Sequence, residues 1–185
     1  MYKSILSLIV LSLFLVSCNN EQDPFEISKQ HVGLLTDSTQ VKDLKTIFVN
    51  DSISRYIGGD EFAGNINNIE IFKKDGNKTL VLTPTRALDS TATIESIQII
   101  DPLYKTEKGI STMSTFKDIT SAYKVSKIDN LINSIAISIK EINASFVIDK
   151  KELPANLRFD LDLKFEETHI PDDAKIKYFF LIWNN

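Results

Sequence analysis

The organisation of this chain follows from the stretch Thr106-Glu-Lys-Gly-Ile-Ser-Thr-Met-Ser-Thr-Phe-Lys-Asp-Ile-Thr-Ser-Ala-Tyr123, because a weaker version of it occurs earlier. The earlier version is Gly33-Leu-Leu-Thr-Asp-Ser-Thr-Gln-Val-Lys-Asp-Leu-Lys-Thr-Ile-Phe48. In both, a Gly precedes a Thr, a Ser-Thr pair, an apolar-Lys-Asp-aliphatic tetrad and an aromatic residue, and Gln40 is an extra residue in the first. A repeat at so long a period predicts two small units, residues 27–105 and 106–185, rather than a solenoid.

Each version of the motif predicts one short amphipathic helix. Apolar residues recur at i, i+3 and i+7, the spacing that lines one helical face; they are Val41, Leu44 and Phe48 in the first version, and Phe116, Ile119 and Tyr123 in the second. The N-cap is expected at Ser38 or Thr39 in the first helix and within Ser114-Thr115 in the second. Gly33 and Gly109 are expected to form the turns before the helices, with an anion-binding nest as the alternative.

The remaining segments carry strand patterns. A hairpin is expected around Asp75-Gly76, since this pair favours a tight turn between two apolar runs. Further strands are predicted at residues 94–100, 135–139, 146–149, 157–165 and 175–183, of which 157–165 shows the clearest apolar-charged alternation. The last run is apolar on both faces and predicts a covered position in the sheet. The expected fold class is α+β, with two pseudo-repeats of a short helix plus antiparallel sheet.

The N-terminus has the features of an export signal. Lys3 precedes an apolar run over residues 5–16, which ends in Leu15-Val-Ser-Cys18. This ending resembles the lipobox of bacterial lipoproteins, and the resemblance implies that residues 1–17 are a signal peptide and that Cys18 carries acyl chains such as palmitate. An ordinary signal peptide is the alternative, but it leaves the position of the chain's one Cys unexplained. Residues 18–26 then form the lipidated Cys and a polar tether.

The expected location is the bacterial cell envelope, with the chain held at a membrane by its acyl chains. Asn19, rather than Asp, follows Cys18, which resembles lipoproteins sorted to the outer membrane. Glu21 and Asp23 resemble surface-export signals of some Gram-negative groups, so both the periplasmic and the surface face stay open. Loss of Lys3 takes the formal net charge from -4 to -5, and an acidic chain argues against nucleic acid as a partner.

The repeated motif also resembles a known architecture. The pattern Thr106-x-x-Gly109-Ile-x-x-x-Ser114-Thr-x-Lys-Asp118, followed by Tyr123, is similar to the tandem helix-plus-sheet units of the β-lactamase inhibitor protein. Several small envelope lipoproteins share this architecture, and the outer-membrane assembly factor family has one such unit. The resemblance implies helices packed on antiparallel sheet and a role in binding or assembly.

A second resemblance concerns Gly58-Gly-Asp-Glu-Phe62, which is similar to the signature of diguanylate cyclases. Ile57 separates this motif from Arg55-Tyr56, and Ala63-Gly-Asn follows it where that family continues into an apolar strand. Too little chain precedes the motif to supply a substrate-binding half. We therefore interpret it as a Gly-rich loop between the first helix and the first hairpin.

Catalytic and metal-binding patterns are weak in this sequence. His31 and His169 lie in opposite halves, and neither has a second ligand at metal spacing. With Cys18 used as the anchor, the chain has no thiol for a disulfide, a thiolate metal site or a nucleophile. Asp160 and Asp162 share one face of the predicted strand, where flanking Arg158 and Lys164 favour a solvated surface. No metal and no cofactor are expected.

The sequence therefore predicts a lipid-anchored, non-enzymatic binding or assembly-accessory protein with an envelope protein as partner. One alternative is an envelope hydrolase that uses carboxylates between Asp160 and Asp173 together with His169. Another is a carrier with an apolar cavity, lined by Phe159, Phe165 and Phe179. The repeated Lys-Asp pairs are not obviously required by the fold, so the candidate partner surface is Lys42, Asp43, Lys117 and Asp118, joined by Arg55, Tyr56 and Phe62.

Overall fold

The computed structural model describes residues 22–58 and 66–183. Its strands are β1 (Glu26–Ile27), β2 (His31–Val32), β3 (Leu35–Thr36), β4 (Ser52–Gly58), β5 (Ile66–Phe72), β6 (Lys78–Pro84), β7 (Ile94–Ile99), β8 (Lys105–Thr106), β9 (Lys127–Asn130), β10 (Ser134–Ile139), β11 (Ala144–Asp149) and β12 (Ile176–Ile182). Its α-helices are α1 (Leu44–Ile47) and α2 (Phe116–Ala122), and 3-10 turns span Val41–Asp43, Lys150–Glu152, Ala155–Leu157 and Glu167–His169. The chain is therefore α+β, as predicted, with most of its regular structure in strands.

One antiparallel sheet contains eight of the described strands, in the order β4-β5-β6-β7-β12-β11-β10-β9. The predicted hairpin around Asp75-Gly76 is β5 and β6, and the predicted pairing of residues 135–139 with 146–149 is β10 with β11. The last strand, β12, lies between β7 and β11 at the middle of the sheet. It joins strands that are far apart in sequence, so the sheet is continuous across the boundary predicted at residue 105.

The core lies on one face of this sheet. A single row of apolar residues crosses all eight strands, because each member is paired with the next: Ile53, Ile71, Leu80, Ile99, Phe179, Phe146, Ile137 and Ile128. Leu44 of α1 and both Phe116 and Ile119 of α2 belong to the same buried cluster. The inward residues of a half-buried strand alternate with outward ones, which leaves the opposite face of the sheet for solvent or a partner.

The two predicted helices are present, and their N-termini differ from each other. Thr115 caps α2: its side chain accepts a hydrogen bond from the backbone N–H of Asp118, whose carboxylate accepts one from Thr115 N at 2.8 Å. The N-cap prediction for the first helix is wrong, because Gln40 caps the Val41–Asp43 turn that leads into α1. The hydroxyl of Thr39 instead accepts a hydrogen bond from Thr36 N at 2.9 Å, in the turn that precedes Gln40.

The strand predicted at residues 157–165 is absent, although its sequence pattern is the clearest in the chain. After the turn at Ala155–Leu157 the backbone is irregular, and Phe159 is 88% exposed. Three carbonyls of this segment, at residues 160, 161 and 163, accept hydrogen bonds from the one amide group Nδ2 of Asn130. A side chain therefore takes the place of a neighbouring strand, and Asp160 and Asp162 do not share a strand face as predicted.

The prediction for the last strand is right in position and wrong about one face. β12 is central in the sheet, and Phe179 and Leu181 are fully buried. Tyr178 and Ile182, however, are 42% and 40% exposed. One side of β12 therefore faces the core, and the other side, although also apolar, is open.

A small sheet, ordered β3-β2-β1-β8, ties the start of the described chain to the middle of the sequence. Ile27 of β1 pairs in parallel with Thr106 of β8, and Trp183 Nε1 donates to Lys29 O at 3.1 Å. Gly33 follows β2 with a positive φ of 54°. In the part of the chain that the structure describes, neither helix has the length and apolar character needed to cross a bilayer.

Candidate functional site

The open side of the large sheet is the broadest candidate surface. We define the outer face as eleven uncharged, outward-pointing residues of β6, β7, β10, β11 and β12, none of which belongs to the buried core; Ser134 and Asp149, which continue the outward rows of β10 and β11, form part of its rim. They are Val81, Thr83, Ser96, Gln98, Ala136, Ser138, Ser145, Val147, Tyr178, Phe180 and Ile182. All are half-buried or exposed. The outer face thus combines aromatic and aliphatic side chains with hydroxyls.

The outer face carries no charged side chain in its middle. The row through Phe180 runs from Val81 on β6 to Ser138 on β10 without a charge, and its first ionisable residues are Glu70 on β5 and Lys127 on β9. Depletion of charge at the centre, with aromatic residues there and polar residues at the rim, is the composition of protein–protein interfaces. The pattern is set by the strand register, which aligns uncharged positions of five strands.

Charges at the rim of the outer face are paired. Lys78 forms an ion pair with Glu70, and Lys127 Nζ lies 2.6 Å from Asp129 Oδ1. Asp149 and Lys177 are joined at 2.9 Å. The backbone N–H of Lys151, and then the Lys177 ammonium, hold the pKa of Asp149 below its usual value, and the Asp149 carboxylate raises the pKa of Lys177. Both groups of that pair are therefore charged at neutral pH.

A shallow depression of about 420 Å³ adjoins the outer face at the β10–β11 turn. Its lining includes Ser138, Ser145 and Ile182 of the outer face, together with Lys127 and Lys140. Serine hydroxyls beside an aliphatic side chain offer both hydrogen bonds and apolar contact. The depression gives the edge of the outer face a concave point where a partner's side chain could insert.

The repeated Lys-Asp pairs lie at the starts of the two helices, where both acidic residues have structural roles. Asp43 Oδ2 accepts from Gln40 N at 3.3 Å, and Asp118 Oδ2 accepts from Thr115 N at 2.8 Å. The Thr115 backbone N–H, followed by its hydroxyl, lowers the pKa of Asp118. Helix capping accounts for both aspartates without a partner, and their assignment to a partner surface stays a prediction.

The lysines of these pairs differ in their contacts. Lys117 Nζ lies 2.7 Å from Asp172 Oδ2, and this carboxylate raises the pKa of Lys117. Lys42 is exposed. Their backbones, in contrast, are held alike: Lys42 N donates to Ser90 O at 2.9 Å, and Lys117 N donates to Asp172 O at 3.0 Å.

The preceding residues continue this match. Val41 N donates to Ala92 O at 3.0 Å, and Phe116 N donates to Ala174 O at 2.9 Å. One residue earlier, Gln40 forms a β-bridge with Thr93, and Thr115 forms one with Lys175. The acceptors of the first set lead into β7 and those of the second set lead into β12, so each helix start is fastened to the strand entering the middle of the sheet.

The remaining predicted contact residues are only partly described. Arg55 lies on β4, the edge strand of the sheet, and is exposed. Tyr56 follows on the same strand, where only its backbone is described. Phe62, with the Gly-rich loop around it, and Cys18, with the signal peptide, lie outside the described residues. Among the described residues, Arg55 therefore lies at the sheet edge, whereas the two Lys-Asp pairs lie at the helix starts.

The carboxylates and histidine of the hydrolase alternative have local structural contacts. Asp160 Oδ1 accepts from Asp162 N at 3.0 Å, and Asp172 pairs with Lys117. His169 Nδ1 accepts from Glu166 N at 3.1 Å, and its ring meets Phe165 edge-on with centroids 6.1 Å apart. These contacts explain the side chains without a catalytic role. Among residues 22–58 and 66–183, no three His, Cys, Asp or Glu side chains are grouped to hold a metal ion.

The apolar cavity predicted between three phenylalanines is not formed as such. Phe159 is 88% exposed, whereas Phe165 and Phe179 are buried. Phe179 packs on Phe146 with ring centroids 4.4 Å apart. The prediction assumed a strand at residues 157–165, and it fails because that segment leaves the sheet.

A cationic cleft is the feature that sequence reasoning missed. It has a volume of about 580 Å³, and its lining includes Lys150, Lys151, Arg158 and Lys177. The first three come from the segment after β11, and the fourth comes from the start of β12. Lys150-Lys151 was the one local signal in the sequence. Arg158 was assigned to a strand that does not form, which hid its approach to the other cations.

No protein-family model matches the sequence, and no curated protein matches it. Among solved structures, the chain is similar to the crystal structure of the uncharacterized protein yfeY from Escherichia coli. The TM-score is 0.58 at 16% sequence identity, and the match covers 85% of this chain and 99% of that chain. The likeness shows the fold alone. Sequence identity at this level carries no information about a shared site.

Proposed function

We propose that this protein is a lipid-anchored, non-enzymatic binding or assembly-accessory module of the bacterial envelope. Cys18 is its anchor, and residues 1–17 are its signal peptide, on the basis of the lipobox-like Leu15-Val-Ser-Cys18. The outer membrane, on its periplasmic or surface face, is the proposed location. The folded part presents the outer face of the large sheet to an envelope protein.

Two pseudo-repeats, residues 27–105 and 106–185, build this module. The support comes from the matched backbone contacts at the helix starts: Val41 to Ala92 and Phe116 to Ala174 occupy equivalent places. The strand order is also symmetric about the β7–β12 pair. Because β7 of the first unit pairs with β12 of the second, the two units together provide a sheet face about twice as wide as that of either unit alone. A face of this width suits a protein partner.

The observation that carries the proposal is the uncharged centre of the outer face. Tyr178 and Phe180 lie there among hydroxyl and aliphatic side chains, while the nearest ion pairs stand at the rim. Nucleic acid or an anionic membrane surface would need cations at the contact. A protein with its own uncharged patch meets this face without leaving a charge buried and unpaired.

Site-specific crosslinking in intact cells tests the contact. A photoreactive phenylalanine analogue is placed at Gln98 on the outer face and, as a matched control, at the exposed Lys45 of α1. We expect a discrete protein adduct from position 98 and none of that mass from position 45. A second change, Tyr178→Asp, introduces a charge into the contact and is expected to abolish the adduct.

Two outcomes contradict the partner assignment. Equal adduct patterns from positions 98 and 45 mean that the outer face is not selective. An adduct of twice the mass of the chain means that the face binds a second copy instead. The anchor has a separate test, since Cys18→Ala is expected to abolish palmitate labelling and to release the protein from the membrane fraction; retained labelling would refute it.

A further inference from the structure

One of the residues that line the cationic cleft, Lys150, has a buried ammonium group that lacks a hydrogen-bond acceptor within the described residues. Lys150 lines the cleft and is only 4% exposed. Within the described residues its Nζ atom has no hydrogen-bond partner, and it lies 6.0 Å from the centroid of the Phe165 ring. A buried charge without a partner is costly, and proteins seldom keep one unless something binds it. The unpaired Lys150 ammonium group therefore supports the presence of a ligand site, in addition to the clustering of cations.

The backbone holds Lys150 in this position. Its N–H donates to Asn133 O at 3.1 Å, which fixes the turn after β11 against the start of β10. Asp149 Oδ1 accepts from Lys151 N at 3.0 Å and keeps the same turn closed. These two hydrogen bonds fix the backbone on either side of the buried lysine before a ligand arrives.

The charge of the lining favours a multiply charged anion. Four cations line the cleft, namely Lys150, Lys151, Arg158 and Lys177, against the single carboxylate of Asp149. Arg158 uses its Nε to donate to Leu153 O at 2.8 Å. Its terminal nitrogens, in a planar fork, suit bidentate contact with an oxyanion. A phosphate monoester carries nearly two negative charges at neutral pH and matches this excess better than one carboxylate does.

Apolar side chains flank these cations. Phe159 and Ile132 are also lining residues, and they are 88% and 75% exposed. Large apolar groups this open gain free energy when an apolar ligand covers them. Cations and bare apolar side chains around one cleft fit a molecule with a phosphate at one end and hydrocarbon next to it.

We propose that the cleft binds the phosphate-monoester headgroup of a lipid. Lys150, Lys151 and Arg158 contact the phosphate, and Phe159 and Ile132 cover the first part of the acyl chains. This assignment is independent of the outer face and of its protein partner. It also makes no use of Cys18, because the site consists of residues 132–177 alone.

Calorimetric titration of the full-length protein in nonionic detergent tests the ligand class, with a protein-free titration as the blank. The probes are dihexanoyl phosphatidic acid, dihexanoyl phosphatidylglycerol, dihexanoyl phosphatidylcholine and inorganic phosphate. We expect the tightest binding for phosphatidic acid, weaker binding for phosphatidylglycerol and inorganic phosphate, and no binding for phosphatidylcholine. Binding of phosphatidic acid should weaken as salt is raised.

Variants test the site. The double change Lys151→Gln/Arg158→Gln removes two cations without touching the buried one, and should raise the Kd for phosphatidic acid about tenfold or more. The control double change Lys45→Gln/Lys105→Gln alters two exposed lysines elsewhere and should leave the Kd unchanged. Phe159→Ser should weaken the lipid and leave inorganic phosphate unaffected. Lys150→Met should abolish binding, with circular dichroism as the check that the fold is intact. If Lys150→Met does not fold, the Lys151→Gln/Arg158→Gln double variant provides the test of the site.

Each remaining outcome overturns part or all of the assignment. No binding of phosphatidic acid, or equal losses in the cleft and control double variants, refutes the site. Inorganic phosphate bound as tightly as phosphatidic acid refutes a lipid ligand. Phosphatidylglycerol bound as tightly as phosphatidic acid refutes the preference for a monoester, and equal binding of phosphatidylcholine refutes recognition of the anion.

Discussion

Phe146 and Phe179 pack ring on ring at the centre of the large sheet, with centroids 4.4 Å apart and ring planes inclined by 32°. They are directly paired across β11 and β12, and both are fully buried. Their next neighbour, Ile99, belongs to β7. Phe179 therefore links Phe146, in the second predicted unit, to Ile99, in the first, and it should contribute strongly to the stability of the large sheet.

Replacing Phe179 by Ala should lower the free energy of unfolding by about 3–5 kcal/mol, because it removes a buried ring and leaves a cavity. The matched change is Phe180→Ala, one residue along on the outer face, where the ring is only half-buried. We expect the second loss to be less than half of the first. Urea unfolding measures both, and equal losses would mean that the outer face is packed as a core.

The reciprocal hydrogen bonds between Thr115 and Asp118 at the start of α2 should contribute to stability and to its pH dependence. Thr115→Ala removes the N-cap acceptor and should cost about 1 kcal/mol. The Thr115 backbone N–H lowers the pKa of Asp118 in the folded state. The stabilisation that Asp118 contributes is therefore complete above the unfolded pKa of about 4 and is lost as the pH falls below it.

Asp118→Asn isolates this titration. Urea unfolding at about pH 7 and about pH 3 should show a larger acid-induced loss of stability in the original protein than in the variant. Identical losses would show that the Asp118 carboxylate contributes nothing through its charge. Thr115→Ser, which keeps the hydroxyl, should retain most of the stability that Thr115→Ala loses.

Gly33 and Gly109 should respond differently to alanine, although they hold equivalent places in the repeated motif. Both have positive φ, 54° and 81°, which costs an alanine about 1–2 kcal/mol. A Cβ at Gly33 would also lie 2.2 Å from Pro24 O, whereas one at Gly109 would meet nothing within 4 Å. Thermal unfolding should therefore show a clearly larger loss for Gly33→Ala. Equal losses would mean that the Pro24 backbone moves aside freely.

Tyr104 should make the protein sensitive to strong alkali. Burial, aided by the nearby Asp51 and Asp101, raises the pKa of Tyr104 to about 12. The folded state holds the proton more tightly than the unfolded chain, so the associated stability is complete below about pH 10 and is lost as the pH rises from about 10 to 12. Two pKa units correspond to a contribution of up to about 3 kcal/mol.

Tyr104→Phe removes this titration and serves as the comparison. Tyrosinate absorbance should show one phenol fewer in the high-pH part of the curve, and unfolding above about pH 10 should be less steep in the variant. An ordinary titration of Tyr104 would contradict the prediction.

Local sequence patterns predicted much of the secondary structure. The apolar spacing at Phe116, Ile119 and Tyr123 identified α2, and the Asp75-Gly76 turn identified the β5–β6 hairpin, because both features act over a few residues. The apolar-charged alternation at residues 157–165 gave a wrong prediction because it, too, reports only on neighbours along the chain. A strand needs a neighbouring strand to pair with its backbone N–H and C=O groups, and here the side-chain amide of Asn130 donates to the backbone carbonyls instead.

The candidate surfaces were much less predictable than the elements. The repeated Lys42-Asp43 and Lys117-Asp118 pairs predict a partner surface, but the hydrogen bonds at the helix starts account for the two aspartates without a partner. The outer face and the cationic cleft combine residues from segments that are far apart in sequence, and Lys150-Lys151 is the one local motif that marks part of the cleft. Arg158 approaches Lys177 only because the segment between them leaves the sheet and returns as β12.

The apolar period and the turn residues in the amino-acid sequence were sufficient to place two helices and half of the twelve described strands, since these depend on neighbours along the chain. The pairing of β7 with β12 was decided by tertiary structure, because it joins residues 94–99 to residues 176–182. That one pairing joins the two halves of the chain into a single eight-stranded sheet and so produces the wide uncharged outer face. Long-range pairing is settled by the burial of the whole core, which no short segment encodes.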